Sequence, residues 1–398
     1  MNQVTSLFAQ LLKQVPRSEF EGLVRKHSAE RNAKGFSCWS QFTAMLFSQF
    51  AKAESLREIC NGLSCCEGKL VHLGVSRSPN KSTLSYGNEH RPAELYEELF
   101  WALTKRFRCE NRFGRQKTFR FKNKLLSYDA TTISLCLSLF PWARFRRAKG
   151  GVKAHVLLDH DDYMPAFMTI TEARQHELNQ AHELPLQPGS IVAIDKGYID
   201  YDLFARWDSH GVFFVTRMKE NAAYQVIETR AVPRGKNVLC DQIIQITGPL
   251  VQHKYPGPLR KVEVWDEENN RVITLLTNHM DFAASTISAI YKERWKIEIF
   301  FKTLKQNLKI KTFVGTSENA LRIQIWTALI ALLLLKWLHH LSKAAWSLSN
   351  LASMLRLNLF TYRALAQWID NPFGTPPIAP TQFNLPIGGL GQPKTFTP

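Results

Sequence analysis

The stretch GSIVAID, residues 189–195, decides how the fold is interpreted. A short continuous apolar run after a glycine is typical of a strand buried on both faces, and such strands belong to sheets covered by helices. The segments that follow agree with this, because Tyr201 to His210 has the apolar spacing of a helix and residues 211–219, GVFFVTRMK, have the composition of another strand. The stretch therefore predicts an α/β sheet at the centre of the chain.

Three β-rich segments precede this stretch, and a helical pattern around residues 176–184 separates them from it. They are LLSYDATTISL (125–135), KAHVLLDHD (153–161) and PAFMTITEA (165–173). Three consecutive strands, followed by strands that alternate with helices, indicate a mixed sheet with helices on both faces. Residues 125–219 are therefore predicted to form the first part of a catalytic core.

The rest of the chain divides by composition. Residues 220–282 are β-rich and broken by prolines and glycines, which predicts an insertion, and a helical pattern returns at 281–301. We predict that 283–345 complete the core, that 346–370 form a C-terminal helix, and that the proline-rich tail 371–398 is disordered. Residues 1–100 have helical spacing throughout and are predicted to form a small DNA-binding domain.

Charge indicates the class of partner. The chain of 398 residues carries 51 Lys and Arg against 34 Asp and Glu, a net charge of +17. Such an excess favours a polyanion, most simply nucleic acid. Residues 101–124 are a basic linker with nine Lys or Arg between Lys105 and Lys124. This segment is either a solvated connection or a set of phosphate contacts.

A membrane location and a zinc site are both disfavoured by the sequence. The longest apolar run, Ile325 to Leu335, is too short to span a bilayer and predicts a buried helix. No secretory signal is recognisable. The number of cysteines is odd and their spacing is not that of a disulfide framework, which is typical of proteins in the reducing cytoplasm. Cys60, Cys65 and Cys66 with His72 match no standard zinc spacing, so we interpret these cysteines as structural.

Three acidic residues are candidates for catalysis. Asp129 lies in the middle of a predicted strand, Asp195 lies at the carboxyl end of another, and Glu298 lies on a late helix. An acid inside an apolar strand is costly unless it is paired or metal-bound, and ligand sites lie outside the carboxyl ends of strands. If the three converge, they can hold hard divalent cations for phosphoryl transfer.

The late helix presents Glu298 within a mixed-charge stripe. At about 100° per residue, Tyr291, Arg294, Glu298 and Lys305 fall within about 60° of one another. Large apolar residues form the adjoining face, namely Ile297, Phe300, Phe301, Leu304 and Leu308. The stripe is either a solvated surface with spaced ion pairs or the rim of a DNA site, where cations and a phenol contact phosphates.

These motifs resemble a known family. The spacing of Tyr291, Arg294, Glu298 and Lys305 resembles the Y-R-E-K signature of the insertion-sequence-4 family of bacterial transposases. Asp129 in YDATTI and Asp195 in IDKGY resemble its two aspartate motifs. The resemblance covers about residues 120–345 and implies an RNase H-like mixed sheet with flanking helices, interrupted by a β-rich insertion and preceded by a small helical domain.

The resemblance also implies a metal-dependent reaction. Asp129, Asp195 and Glu298 would hold two Mg²⁺ ions, with Mn²⁺ as a possible substitute. Tyr291, Arg294 and Lys305 would contact the phosphates of the transposon ends. The enzyme would bind the terminal inverted repeats of an insertion sequence, cleave DNA at its ends and join the 3′-hydroxyl ends to target DNA. It would act as a homodimer in a synaptic complex at the bacterial nucleoid.

Several residues remain open at this point. Some relatives stack a flipped base on a tryptophan in the strand before the signature, yet RVITLLT, 271–277, contains none, and Trp265 is a weak substitute. Whether hairpin ends form is therefore open. Arg217 and Lys219 either contact DNA or end a strand in solvent, and His176 has no role that we can argue.

Three other classes of protein fit less well. A glycosidase needs two acids rather than three and leaves the basic balance unexplained. A DNA-binding protein without catalysis does not need all three acids. A metal-independent nuclease needs a His or Tyr nucleophile, for which no local motif is recognisable.

Overall fold

The computed structural model describes residues 5–31, 33, 35–66, 68–113, 118–136, 138–146, 149–173, 177–232, 237–308 and 313–374. His176 and most of the predicted disordered tail, residues 375–398, lie outside these ranges.

Within these described ranges, ten strands form one mixed sheet. They are β1 (Leu125–Leu135), β2 (Arg144–Arg146), β3 (Lys149–Asp159), β4 (Met164–Glu172), β5 (Ile191–Ile194), β6 (Phe213–Arg217), β7 (Tyr224–Thr229), β8 (Val238–Ile246), β9 (Leu259–Asp266) and β10 (Arg271–Thr277). The order across the sheet is β2-β3-β1-β5-β6-β10-β9-β8-β7, and β4 pairs with β3. β5 is parallel to β1 and to β6, whereas the other pairs are antiparallel.

Helices precede, interrupt and follow the sheet. They are α1 (Leu7–Leu12), α2 (Arg17–Lys26), α3 (Cys38–Ala51), α4 (Leu56–Ser64), α5 (Lys81–His90), α6 (Glu94–Cys109), α7 (Glu177–Ala181), α8 (Tyr201–Ser209), α9 (Pro249–Gln252), α10 (Ala284–Glu293), α11 (Trp295–Asn307), α12 (Glu318–Leu341), α13 (Leu348–Asn358) and α14 (Leu365–Asp370). The predicted mixed α/β architecture with a helical N-terminal region is confirmed.

Two predicted helices differ from the structure. The pattern 281–301 was expected to form one helix, but α10 ends at Glu293 and α11 begins at Trp295. The Arg294 amide donates to Tyr291 O, and the Ile297 amide donates to Arg294 O. The hydrogen bonds at Arg294 therefore join residues three positions apart, as in a 3-10 helix. The segment 346–370 was expected to form one C-terminal helix, but it contains α13 and α14 with residues 359–364 between them.

The β-rich segment 220–282 extends the central sheet. Its last strand, β10, pairs with β6 between Leu275 and Arg217, and β9, β8 and β7 follow outward. The outermost strand, β7, is exposed along its whole length. The chain therefore leaves the core at β6 and returns beside it at β10.

Apolar residues on the two faces of the sheet belong to different clusters. On one face, Leu125, Ile191 and Ala193 pack with Ile287 and Ile290 of α10. On the other face, Val192, Ile194 and Leu126 pack with Leu203 and Phe204 of α8. This alternation is what strands buried on both faces require.

The N-terminal helices share a core with the end of the chain. Phe42, Leu99 and Phe100 belong to the same cluster as Leu329 of α12 and Leu355 of α13. Within the described residues, α12 is the one helix long and apolar enough to cross a membrane, yet 89% of its most apolar window is buried inside the protein. That burial is expected of a core helix.

Candidate active site

The register of two parallel strands places Asp129 beside Asp195. β1 and β5 pair from Leu125 with Ile191 to Tyr128 with Ile194, and Asp129 and Asp195 are the next residues along the chain after this paired segment. Because side chains alternate along a strand, both aspartates belong to the face that carries Leu125 and Ile191, which α10 covers. The two acids predicted from separate motifs are therefore neighbours on one face.

Asp129 is held in a partly buried position. Its Oδ1 accepts hydrogen bonds from the Ala130 amide at 2.8 Å and from the Tyr198 hydroxyl at 3.3 Å. Burial, with the nearby Glu298 carboxylate, raises its pKa from 3.8 to about 6, although the hydrogen bonds and Arg294 oppose this. The site thus disfavours a charged Asp129 unless more positive charge is supplied.

Asp195 begins a single turn of 3-10 helix, Lys196–Tyr198, and accepts from the Gly197 amide at 3.3 Å. This contact orients the carboxylate at the carboxyl end of β5. The same turn brings the Tyr198 hydroxyl to Asp129. One short segment therefore positions both aspartates.

Arg294, at the junction of α10 and α11, lies among the three acids. Its Nη1 is 3.4 Å from Glu298 Oε1 and 3.8 Å from Asp129 Oδ2, and the charge of Asp195 also acts on it. Burial alone would lower the pKa of Arg294, but Tyr291 and the three acids raise it overall. Among the residues that the structure describes, its buried Nε has no hydrogen-bond partner. The structure thus brings Asp129 and Glu298 to one guanidinium, and the charge of Asp195 acts on the same group.

Tyr291 lies beneath the same guanidinium. The Arg294 Cζ is 5.7 Å from the centre of the Tyr291 ring, within the range of a cation–π contact. Burial raises the pKa of Tyr291, while the charges of Arg294 and Arg217 lower it. The phenol therefore stays protonated and able to donate, and Arg217 is near enough to influence it.

Lys305 lies farther along α11 and points back to the first strand. Its Nζ is 2.5 Å from Thr131 Oγ1 and 3.2 Å from Thr132 O. Thr131 is two residues beyond Asp129 on the same face of β1. The stripe predicted for 291–305 is interrupted at Arg294, where α10 ends, yet Tyr291 and Glu298 both still contact Arg294.

Lys219 lies at the edge of the site. It lines a shallow surface depression together with Lys196, Gly197, Glu220 and Asn221. Lys196 follows Asp195 directly, so Lys219 adds positive charge close to the carboxyl end of β5. Its contact with DNA stays a prediction.

The basic segment has two kinds of residue. Arg108 and Lys124 form ion pairs with Asp162 and Asp159 at 2.6 and 2.8 Å, so both are engaged within the protein. Arg120 and Lys122 are exposed, because Phe119 and Phe121 stack on each other and turn inward. The structure thus gives Arg108 and Lys124 internal roles and leaves Arg120 and Lys122 facing solvent.

Sequence reasoning missed Trp295. This residue begins α11, and 60% of its surface is exposed, beside Ile299 at 47%. Its signal was available, since an aromatic residue sits between Arg294 and Glu298 in the signature. By contrast, Trp265 alternates with Val262 and Val264, which face the α10 side, so it belongs to the opposite face of the sheet.

Asp129 and Glu298 supply carboxylate oxygens, the type of ligand that hard divalent cations take. Among the residues that the structure describes, no three His, Cys, Asp or Glu side chains lie close enough together to hold a metal ion. However, Asp129 and Glu298 both face one cationic nitrogen, and burial raises the pKa of Asp129. Carboxylate oxygens around a point that attracts positive charge fit a hard divalent cation.

Comparisons with known proteins agree with these motifs. Residues 121–334 match the family model described as a transposase DDE domain, and residues 3–76 match a domain of unknown function (DUF4372). The chain is 31% identical over 308 residues to a putative transposase, y4zB, of Sinorhizobium fredii, covering 76% of this chain and 83% of the relative. It is 27% identical over 263 residues to a probable transposase for insertion sequence element IS5377 of Geobacillus stearothermophilus, covering 66% and 68%.

Proposed function

This chain belongs to the transposase DDE domain family, and we propose that it cleaves DNA at the ends of an insertion sequence and joins the freed 3′-hydroxyl ends to target DNA. Membership confirms the resemblance predicted from the Y-R-E-K spacing and the two aspartate motifs. The finer steps, which are recognition of terminal inverted repeats and cut-and-paste transfer, belong to the proposal.

The observation that carries the proposal is the strand register that places Asp129 beside Asp195, together with the contacts of Asp129 and Glu298 with Arg294. These acids come from two parallel strands and a late helix, as the resemblance implies for the catalytic residues. The strand order β4-β3-β1-β5-β6, with β3 antiparallel to β1 and β5 parallel to it, supports an RNase H-like core. Here a glycosidase would leave the third acid and the cations unexplained.

Asp129, Asp195 and Glu298 are the residues that would hold two Mg²⁺ ions, or Mn²⁺ in their place. Bound there, such ions would activate the attacking oxygen as a nucleophile. They would also stabilise the negative charge that develops on the leaving oxygen of a phosphodiester. The protein's own residues position these carboxylates. Asp129 is oriented by Ala130 and Tyr198, and Asp195 is oriented by Gly197.

The cations and the phenol would hold the DNA strand. Arg294 is a cation beside Asp129 and Glu298 and would attract a phosphate to them. Tyr291 donates from its hydroxyl, and Lys305 extends the line of contacts along β1. Trp295, exposed beside these groups, offers a flat surface on which a base can stack.

The wider setting follows from charge and family. A net charge of +17 favours double-stranded DNA as the partner, both at the transposon ends and at the target. We propose that two copies act together in a synaptic complex at the nucleoid, because two ends must be cleaved and joined. The N-terminal helices would take part in binding the ends.

The test is cleavage of a supercoiled plasmid that carries the element's two ends. Wild type and Glu298→Gln are compared with Mg²⁺ and with EDTA. The matched control is Glu318→Gln, because Glu318 also pairs with an arginine four residues away, Arg322, but on α12.

Wild type and the control should cleave with Mg²⁺ alone. The Glu298→Gln variant should lose about 10³-fold or more in rate, because several kcal/mol of charge stabilisation are removed. End binding, measured by mobility shift, should be kept. Equal cleavage by wild type and Glu298→Gln would remove Glu298 from the site and make Arg294–Glu298 an ordinary surface pair.

A further inference from the structure

The turn between β3 and β4, residues 159–163, contacts the strand that carries Asp129. The His160 side chain is 6% exposed, and its Nε2 is 2.7 Å from Ser127 Oγ. The His160 amide also donates to Leu125 O at 3.1 Å. Ser127 is fully buried and lies two residues before Asp129, on the same face of β1.

The same turn contacts the helix junction that carries Arg294 and Glu298. Glu293 is the last residue of α10 and directly precedes Arg294. Its Oε2 accepts from the Tyr163 hydroxyl at 3.2 Å and lies 3.7 Å from His160 Nδ1, which is longer than a hydrogen bond. The nearby imidazole lowers the pKa of Glu293 despite its burial, so this carboxylate is ionised.

These contacts close a ring around the site. The path runs from Asp129 along β1 to Ser127, through His160 to Glu293, and one residue on to Arg294, whose guanidinium faces Asp129 at 3.8 Å. Within the part of the chain that the structure describes, no backbone hydrogen bond joins β1 to this junction. Side chains of the turn therefore act with the apolar packing of α10 and the contacts of Lys305 to set how far the junction lies from the strand.

We propose that His160 and Tyr163 are positioning residues that hold Glu293, and with it the α10–α11 junction, at the distance from β1 that places Arg294 and Glu298 opposite Asp129. The inference rests on the proposed function for its effect on rate. Neither residue touches the reacting groups. Their action is to fix the geometry between two elements that each supply part of the acid set.

The turn can serve as a fixed point because it is anchored on other sides. Arg108 of α6 pairs with Asp162 at 2.6 Å, and Lys124 pairs with the buried Asp159 at 2.8 Å. Lys336 of α12 donates to the backbone oxygens of Asp162 and Tyr163. A turn held by the helices that precede and follow the core gives the junction a rigid support.

The experiment removes the contacts without removing volume. Glu293→Leu loses the acceptor, Glu293→Gln keeps an oxygen that accepts from Tyr163, and Tyr163→Phe loses only the hydroxyl. The matched control is Tyr255→Phe, because the Tyr255 hydroxyl also donates to a carboxylate, Asp208 at 3.0 Å, within the cluster on the opposite face of the sheet.

Two readouts are taken on the full chain. The first is the rate of plasmid cleavage at saturating DNA together with end-binding affinity. The second is hydrogen–deuterium exchange of the peptide that covers residues 290–300, which does not depend on activity. Glu293→Leu and Tyr163→Phe should slow cleavage by about tenfold, the effect of one charge-assisted hydrogen bond. They should also speed exchange at the junction while end binding stays within about twofold.

Glu293→Gln should recover most of the rate, and Tyr255→Phe should change neither readout. The inference is overturned if wild type cleaves while Glu293→Leu and Tyr163→Phe alter neither rate nor exchange, or if Tyr255→Phe has the same effect as they do. If wild type itself does not cleave but exchange at the junction rises in both variants, the proposed reaction fails and the positioning role stands.

Discussion

Two buried arginines of this protein have opposite surroundings. Arg260, on β9, forms two hydrogen bonds with Asp241 at 2.8 and 2.7 Å and donates to the backbone oxygens of His279, Met280 and Phe282. Arg294 lies 3.4 Å from Glu298 and 3.8 Å from Asp129, and its buried Nε has no partner within the described parts of the chain. The guanidinium nitrogens of Arg260 all donate hydrogen bonds, whereas Nε of Arg294 does not.

This difference distinguishes an arginine in a structural ion pair from an arginine in a candidate active site. A buried charge is tolerated when its donors are matched, as at Arg260. The guanidinium of Arg294, which Asp129 and Glu298 face at longer distances, keeps donor capacity that a phosphate could use. Both arginines are buried, so the difference between them lies in their hydrogen bonds.

Replacing Arg294 is expected to have the largest effect on activity. The Arg294→Met variant should lower the cleavage rate by about 10²–10³-fold, as loss of one preorganised charge donor does. Its thermal stability should change little, because the neighbouring acids are partly exposed and Asp129 can take up a proton. The rate is measured in the plasmid assay and the stability by thermal unfolding. A variant that cleaves normally would make Arg294 a purely structural residue.

Replacing Arg260 is expected to have the largest effect on stability. The Arg260→Met variant leaves Asp241 buried and unpaired, which should lower the free energy of unfolding by about 3–5 kcal/mol. Denaturant titration measures this loss. Cleavage per folded molecule should be retained, since Arg260 lies in the extension of the sheet. A loss of rate larger than the loss of folded protein would contradict the distinction between the two arginines.

The acid beside Arg294 gives a pH test. Because the pKa of Asp129 is raised from 3.8 to about 6 in the folded protein, the folded state binds more protons than the unfolded state between these values. The contribution of Asp129 to stability therefore decreases as pH rises through this window. In EDTA, Asp129→Asn should be more stable than wild type above pH 6 by on the order of 2–3 kcal/mol.

The same variant should match wild type near pH 4, and it should not cleave at any pH. Unfolding curves at several pH values check both statements. Asp202→Asn serves as the control, since Asp202 is an exposed acid that pairs with Lys254. A stability difference that does not depend on pH would show that burial of the Asp129 charge is not its cause.

Trp295 and Trp265 are expected to show the smallest effects. Trp295→Ala should weaken binding of ends by about 1–3 kcal/mol if one base stacks on it, and should leave stability within about 0.5 kcal/mol. Trp265→Ala, on the opposite face of the sheet, should not weaken binding. Fluorescence anisotropy with labelled ends measures both. Equal effects would show that neither indole is specific to the site.

The sequence predicted much of this molecule, and local patterns explain why. The core strands, the mixed sheet and the family were recoverable because Asp129, Asp195 and the Y-R-E-K spacing lie on strongly patterned elements. The break at Arg294 was not, because ordinary helix-forming residues surround it and the change is a tightening by one residue. The pairing of β10 with β6 was also hidden, since it depends on contact between strands far apart in the chain.

The contacts of His160 lay beyond sequence reasoning for a similar reason. Ser127, His160 and Glu293 are separated by long stretches, and nothing near each residue indicates the others. The exposed Trp295 was different, because its place within the signature was visible. Its exposure was the missing fact, and exposure depends on which side of α11 the core occupies.

The adjacency of β6 and β10 bears on how such chains vary in length. The strand that begins the excursion and the strand that ends it are hydrogen-bonded neighbours at Arg217 and Leu275. Segments between neighbouring ends can grow or shrink at a cost that rises only slowly with length. Because both ends of residues 218–270 meet at this strand pair, the excursion widens the sheet at one side while β1, β5 and the late helices keep their places.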